Sequence, residues 1–402
     1  MNVRKRDRIV LLGMMTKMPV AGVVWQTAHY LVGFERLGYE VYYVEAHART
    51  PTMFMATEAD DGSAKAAAFI DSVMRRFGLA GRWAYHALHE PDARCFGMSD
   101  SQLRALYRSA ALIVNLHGGT VPLPEHYEKG RLVYVETDPV QPQIELYENN
   151  LDTIAFLEPH CAYFTFGENY GAEDCGLPVT DRFDFRPTRQ PVVLDFWQGA
   201  TLEGESDALT TIGNWQQPWR EVVFRGEVYH WSKHHEFLKL LDLPRRVPGQ
   251  PLELALSSYD DPDKQMLQSR GWRVRHAMDF TMDPDAYRGY VAGSRGEFTV
   301  AKDQNVRLRS GWFSDRSATY LAAGRPVVTQ DTGFGNVLPT GAGLFAFSTM
   351  DEAVAAIDAV NGDYAKHRRA AVEVAREYFS HDIVLGRLLE DVGCPAKSSV
   401  AW

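Results

Sequence analysis

The stretch Ser310-Gly-Trp-Phe-Ser-Asp-Arg-Ser-Ala-Thr-Tyr-Leu-Ala-Ala-Gly-Arg-Pro-Val-Val-Thr-Gln-Asp-Thr-Gly333 joins a polar, charged helix start to a short helix and then to an apolar strand. Ser314 is a good N-cap residue, residues 318–323 are mostly strong helix formers, Gly324 is placed to end the helix, and Pro326 opens the strand Val327-Val328-Thr329. Free backbone N–H groups and the positive dipole end of the helix meet Arg316 and the hydroxyls of Ser314 and Ser317. Together they form a cradle suited to an anion. An ordinary capped helix with Asp315 and Arg316 in solvent accounts for the same letters.

On the carboxyl side of the cradle, Gln330-Asp331-Thr332-Gly333 adds an amide, a carboxylate, a hydroxyl and a flexible glycine. On the amino side, the run 294–309 alternates Glu297, Thr299 and Ala301 with Phe298, Val300 and Lys302, as a strand does until it leaves the sheet. Lys302, Arg307 and Arg309 then precede the cradle. Local positive charge in an acidic chain suits a diphosphate; a solvated basic loop is the competing account.

The rest of the chain places the cradle in a larger plan. Strand-like runs alternate with helix-period segments, the pattern of βα units and parallel sheets. Strands are predicted at 9–14, 41–44, 111–116, 132–135 and 162–166, the last closing the first half, with helices at 23–36 and 64–77. Residues 188–207, rich in Pro, Gly, Gln and acidic side chains, read as a linker. Strands then follow at 208–212, 252–256, 272–275, 297–300, 326–329 and 344–347, and helices at 353–359, 365–378 and 382–389. The expected architecture is α/β, with two Rossmann-like doubly wound domains facing a cleft. The first covers 1–187 and the second 208–380, and 381–402 form a C-terminal helix and tail.

The 402 residues are too many for one typical core. A net charge of −10 argues against nonspecific nucleic-acid binding. Cys95, Cys161, Cys175 and Cys394 are scattered without metal-ligand spacing and fit reduced thiols in the cytoplasm. The charged start 1–8 and the apolar run 9–15 mimic a signal peptide, but Lys17 interrupts the run. No segment approaches the ~18 apolar residues of a membrane span.

Strand ends supply the remaining candidates. The first βα loop, 13–22, has glycines without G-x-G-x-x-G spacing, which weighs against a nicotinamide oxidoreductase. Gly22 before the first helix lets a ligand or the other domain approach the backbone, or is a plain turn. His29 fits a packed or solvated histidine better than a catalytic one. Asn115-Leu-His117-Gly-Gly119 sits where doubly wound folds place chemistry, so His117 is either a general base or a satisfied buried histidine. Pro139 and Pro142 stiffen the loop that presents Glu136, Thr137 and Asp138. There Asp138 could deprotonate an acceptor hydroxyl, bind sugar hydroxyls or simply form a turn. In the second half, Gly213-Asn214-Trp215 is placed to reach a ligand from a strand end.

Helix, Leu321-Ala-Ala-Gly-Arg-Pro-Val-Val328 and the polar 330–333 turn together resemble the donor-binding region of GT-B glycosyltransferases. In that superfamily a nucleotide-sugar diphosphate binds at the helix start before Ala-x-Gly-x-Pro-Val-Val. The C-terminal domain is similar to that of glycosyltransferase families 1 and 4. The string from Gly296 to Gly333 resembles a group of bacterial glycosyltransferases. Leu37-Gly-Tyr-Glu-Val41 resembles the approach to the second strand of an acceptor domain. The architecture resembles GT-B over nearly the whole chain, and the specific motif match spans 294–347. Two departures stand out: Thr319 occupies the place of the glutamate of many retaining members, and Gly311-Trp-Phe313 replaces the His-Gly-Gly of plant-type members.

The resemblance implies a transferase that takes sugar from a nucleotide-diphosphate donor without a metal or other cofactor. Its donor contacts would be Gly22, Asn214, Glu297, Lys302, Arg309, Ser314, Asp315, Arg316, Ser317, Gln330, Asp331, Thr332 and Gly333. Asp138 or His117 would be the base if the reaction inverts. A nucleotide-sugar epimerase on the same architecture and a non-catalytic nucleotide-sugar-binding protein are the rival expectations.

Overall fold

The computed structural model describes residues 6–199, 206–217 and 220–394. The charged residues 1–5, part of the expected linker (200–205) and the end of the tail (395–402) lie outside the described residues. The first sheet is built from β1 (Arg8–Leu12), β2 (Glu40–His47), β3 (Trp83–Ala87), β4 (Cys95–Phe96), β5 (Ala110–Leu116), β6 (Leu132–Glu136), β7 (Ala162–Thr165) and β8 (Phe185–Pro187). Their order is β4-β3-β2-β1-β5-β6-β7-β8, parallel throughout except for β4. Ile9 to Leu12 are fully buried, as expected of a continuous apolar strand covered on both faces.

After this sheet come β9 (Leu209–Asn214), β10 (Val222–Phe224), β11 (Glu227–Tyr229), β12 (Leu252–Ser257), β13 (Arg273–His276), β14 (Gly296–Thr299), β15 (Val327–Gln330) and β16 (Leu344–Phe347). The second sheet runs β13-β12-β9-β14-β15-β16, all parallel, while β10 and β11 form a separate hairpin. Strand order reverses between β1 and β5 in one sheet and between β9 and β14 in the other. Those two switch points are where doubly wound sheets open a crevice at their carboxyl ends.

Some elements depart from the sequence reading. The first sheet continues beyond 162–166 to β8 on one side, and beyond β2 to β3 and the edge strand β4 on the other. Trp83-Ala-Tyr-His-Ala87 is mostly aromatic and small, without the branched aliphatic run that marks its neighbours. The β10–β11 hairpin turns on Arg225 and Gly226, both at positive φ (52° and 80°), a two-residue turn whose Arg-Gly letters give a weak signal. The helix expected at 365–378 runs regularly over Tyr364–Val374 and ends in a wider π-helical turn, Ala375–Phe379. Among the described residues no helix is long and apolar enough to cross a membrane.

The two halves are joined by packing as well as by chain. Trp25, on the helix Ala21–Arg36, has its ring centroid 5.1 Å from Trp197, 5.7 Å from Phe196 and 5.3 Å from Phe77. Val192, Val193 and Trp197, in the segment read as a linker, are buried in this interface. The final helix, His381–Asp391, crosses back and places Leu385, Leu388 and Leu389 in the core of the first sheet. It lies so close to the Ala21–Arg36 helix that a Cβ on Gly33 would stand 2.6 Å from Leu385 Cδ1 and 3.1 Å from His381 Cβ. Alanine in place of glycine normally strengthens a helix interior by ~1 kcal/mol. Gly386→Ala, with open space around its Cβ, should show that gain. Gly33→Ala should instead lose roughly 1–3 kcal/mol through overpacking, which paired urea-unfolding curves will read.

Candidate active site

The loop after β1 is held from inside the first domain. Buried Glu45 accepts the Thr16 N–H (3.0 Å), the Thr16 hydroxyl and the Tyr43 hydroxyl (2.5 Å). Lys17 donates Nζ–H to the Gly119 carbonyl at 2.6 Å, tying this loop to the one after β5. Across the interface, the Ala21 N–H is donated to the Thr281 carbonyl at 2.7 Å. The two sheet edges therefore face each other over a cleft of about 360 Å³.

Gly22, His117, Asp138, Asn214, Asp315 and Arg316 all line this cleft, although they come from five separate loops, strand ends or helix starts. Thr137, Ser257, Tyr287, Trp312 and Met278 complete much of its wall. Further hydrogen bonds tie its two sides together. Lys302 Nζ donates to Asp138 Oδ1 at 2.5 Å, Trp312 Nε1 donates to the Thr137 carbonyl at 3.0 Å, and Gln190 Nε2 donates to the Ser314 carbonyl at 2.8 Å.

Arg316 is built into the second domain. Its Nε donates to Glu297 Oε1 (2.6 Å), one terminal nitrogen to the Ile212 carbonyl (2.6 Å) and the other to Thr299 Oγ1 (3.1 Å). Three of the five guanidinium N–H donors are thereby engaged and two remain for the cleft. Glu297 is fully buried beneath Arg316, so it orients the arginine and does not face the cleft. Ser314 and Ser317 are buried at the helix start, and Ser317 Oγ has no partner among the described residues. Asn214 Oδ1 accepts from the Ser257 hydroxyl, which leaves the Asn214 amide N–H groups toward the cleft.

Two lysines dominate the positive side. Lys302 is buried with Nζ 3.1 Å from the Trp231 ring centroid; burial lowers its pKa, and Asp138 acts against that. Lys233 lies 5.7 Å from the Trp312 ring and has no hydrogen bond or ion pair among the described residues. Burial first, then the neighbouring Arg316 charge, bring its pKa down to about 7. Burial raises the Asp315 carboxyl above its usual range. His117, at positive φ (64°), has Nδ1 2.8 Å from Thr137 Oγ1, and burial lowers its pKa to about 4. It is therefore neutral at physiological pH.

The remaining sequence candidates lie away from the cleft wall. Gln330 donates to Glu236 at 2.6 Å and accepts the Ala301 N–H, supporting the backbone beside Lys302. Arg309 pairs with Asp174 (2.8 Å) and Asp331 (2.9 Å), and Thr332 Oγ1 donates to the Trp312 carbonyl. Asn169 of the first domain presses on the 330–333 turn: a Cβ on Gly333 would meet its side chain at 2.8 Å. Asp331, Thr332, Gly333 and Arg309 thus belong to a clamp between domains. The expected basic cluster is also dispersed. The short helix Asp303–Arg307 turns Arg307 toward Asp303 and Glu227, while Lys302 points to Asp138 and Arg309 to Asp174. Lys233 and Trp231 were not legible as site residues, because they sit in an aperiodic segment that only tertiary packing brings over Lys302.

Solved structures with this arrangement extend over nearly the whole chain. HepE of Anabaena, in complex with UDP, superposes with a TM-score of 0.57 at 13% identity, covering 96% of this chain and 99% of that one. An α-glucosyltransferase in complex with UDP and a DNA 13-mer containing an HMU base gives 0.59 at 10% identity, covering 97% and 100%. Sucrose-phosphate synthase from Thermosynechococcus elongatus gives 0.56 at 11% identity, covering 96% and 99%. The fold is GT-B. No protein-family model matches the chain, and no curated protein matches it in sequence. In GT-B terms, the cleft described above is the space between the two Rossmann-like domains.

Glu136, next to Thr137, is buried and accepts from Gln143 Nε2 (2.8 Å) and Thr165 Oγ1 (2.5 Å). Burial raises its pKa from 4.5 to about 8. A carboxyl whose pKa is raised on folding contributes stability that is complete below its unfolded pKa and lost as pH rises through the folded value. Wild-type stability should therefore fall relative to Glu136→Gln between about pH 4.5 and 8, by on the order of a few kcal/mol. Denaturant unfolding across that window will measure the difference, and parallel curves would contradict it.

Proposed function

We propose that this protein is a glycosyltransferase that moves a sugar from a nucleotide-diphosphate donor to a separate acceptor. The observation that carries the reading is the convergence of Asp315, Arg316 and the start of their helix on one interdomain cleft at the switch points of both sheets, with the Lys233 ammonium beside Arg316 and the Trp312 ring. Negative charge accumulates on a departing nucleoside diphosphate, and fixed cations and N–H donors lower the barrier there. HepE and the α-glucosyltransferase, of the same fold, were solved with UDP. The reading places the diphosphate at the Ser314–Ser317 helix start, between Lys233, Lys302 and the two open donors of Arg316, without requiring a metal for leaving-group stabilisation. Asn214 would contact the donor from the β9 end.

The acceptor is assigned to the first-domain side, near Met14, Met18 and His117. His117 is the favoured base if the reaction inverts. It is neutral, Thr137 orients one ring nitrogen, and Nε2 has no partner among the described residues. Asp138 is committed to Lys302, and its role is to hold that ammonium and close the cleft.

Arg316→Ala breaks a buried ion pair, a change that costs ~3–5 kcal/mol in itself, so lost activity there is ambiguous. Lys233→Gln is the cleaner variant. UDP should raise the melting temperature of the wild-type protein, and Lys233→Gln should lower transfer from a UDP-sugar about 100-fold or more. Near-normal turnover in Lys233→Gln would sink the diphosphate assignment. Product formed from donor alone would favour an epimerase, and binding without turnover of any nucleotide sugar would favour a non-catalytic protein.

The Lys233 pKa adds a pH signature. Its ammonium is present below about pH 7 and lost above it in the free protein. Wild-type affinity for UDP should therefore weaken, relative to Lys233→Gln, as pH rises through about 7. Calorimetric titration of both proteins isolates this from the phosphate's own ionisation, and a constant ratio would overturn it.

A further inference from the structure

The β10–β11 hairpin and the short helix His234–Lys239 bring three metal-ligating side chains together outside the cleft. Glu221 precedes β10, His230 follows β11, and His235 lies in the first turn of the helix. One ligand atom from each of the three lies within 4.8 Å of those of the other two. The His230 and His235 rings stack with centroids 4.0 Å apart and planes at 26°, and His234 stands 3.9 Å from His235. Glu221 Oε1 is 2.7 Å from His230 Nδ1, and the His230 backbone N–H is donated to Asp303 Oδ2 at 2.9 Å.

Two imidazoles and a carboxylate gathered at one half-exposed point form an N,N,O donor set. In a tetrahedral zinc site with Zn–N bonds of ~2.0–2.1 Å, ligand atoms stand somewhat over ~3 Å apart. Nitrogen ligands with one carboxylate favour a borderline divalent ion over calcium or magnesium, which prefer all-oxygen shells.

We propose that Glu221, His230 and His235 bind one borderline divalent cation, with Zn²⁺ as the reference ion. The cation clamps the hairpin to the start of the helix. Trp231 and Lys233 lie between the two histidine ligands, so the clamp holds the segment that covers Lys302. The site is separate from the diphosphate assignment, and its test does not use sugar transfer.

The full chain, stripped with chelator and titrated with ZnCl₂, should bind one equivalent at micromolar concentration. Zn²⁺ should also raise its melting temperature. His230→Ala/His235→Ala should lose that equivalent and the thermal shift, whereas His276→Ala, at an exposed histidine elsewhere, should keep both. Glu221→Gln should weaken binding by about tenfold or more. No bound equivalent in the wild-type protein, or an equivalent retained by the double variant, overturns the site. Should the double variant fail the circular-dichroism check for folding, unchanged affinity in Glu221→Gln overturns it instead.

Discussion

An ammonium buried between two domains needs a counter-charge, and Lys302 finds its partner in Asp138 on the opposite side of the cleft. Leaving one member unpaired in such a setting is strongly unfavourable. The pair is therefore a geometric constraint: the loop after β6 and the loop after β14 must meet. Trp231 lies against the same ammonium, and Trp312 reaches from the second domain to the Thr137 carbonyl. Each of these contacts presupposes the same relative placement of the two sheets.

The closed arrangement sorts polar groups into two kinds. Lys302, Asp138 and most of Arg316 are satisfied within the protein, with Glu297 holding Arg316 from beneath. Lys233, the amide of Asn214, the remaining Arg316 donors and His117 Nε2 have no protein hydrogen-bond partner among the described residues. Burial presses Lys233 toward neutrality, which makes an anionic partner the natural way to retain its proton. The same low-polarity setting lowers the His117 pKa and keeps the ring neutral.

The Ser310 to Gly333 stretch serves two structural ends. Its helix start faces the cleft, while Gly311 and Gly333, both at positive φ, let Asn169 approach the backbone from the first domain. The Asp331, Thr332 and Arg309 side chains secure that approach. A motif that reads as one ligand-binding unit is thus half cradle and half domain clamp.

The sequence by itself determined the local elements with strong periodicity or continuous apolar runs: β1, β5, the helix Ala21–Arg36, and the succession of strands that makes the second sheet. It also marked the polar residues at the ends of those strands, because parallel sheets place such residues along one edge. His117, Asp138 and Asn214 were marked on that basis, and Gly22, Asp315 and Arg316 by their places at helix starts. Only the tertiary structure decided which charges remain available. Whether Arg309 meets a ligand or Asp174, and whether Glu297 faces the cleft or lies under Arg316, depends on packing between segments more than a hundred residues apart or across the sheet. Lys233 and Trp231 carry no local signature, since their roles arise from burial against Lys302 and Trp312. Charge pairing and desolvation act through space, and the spacing of letters along a chain does not encode them.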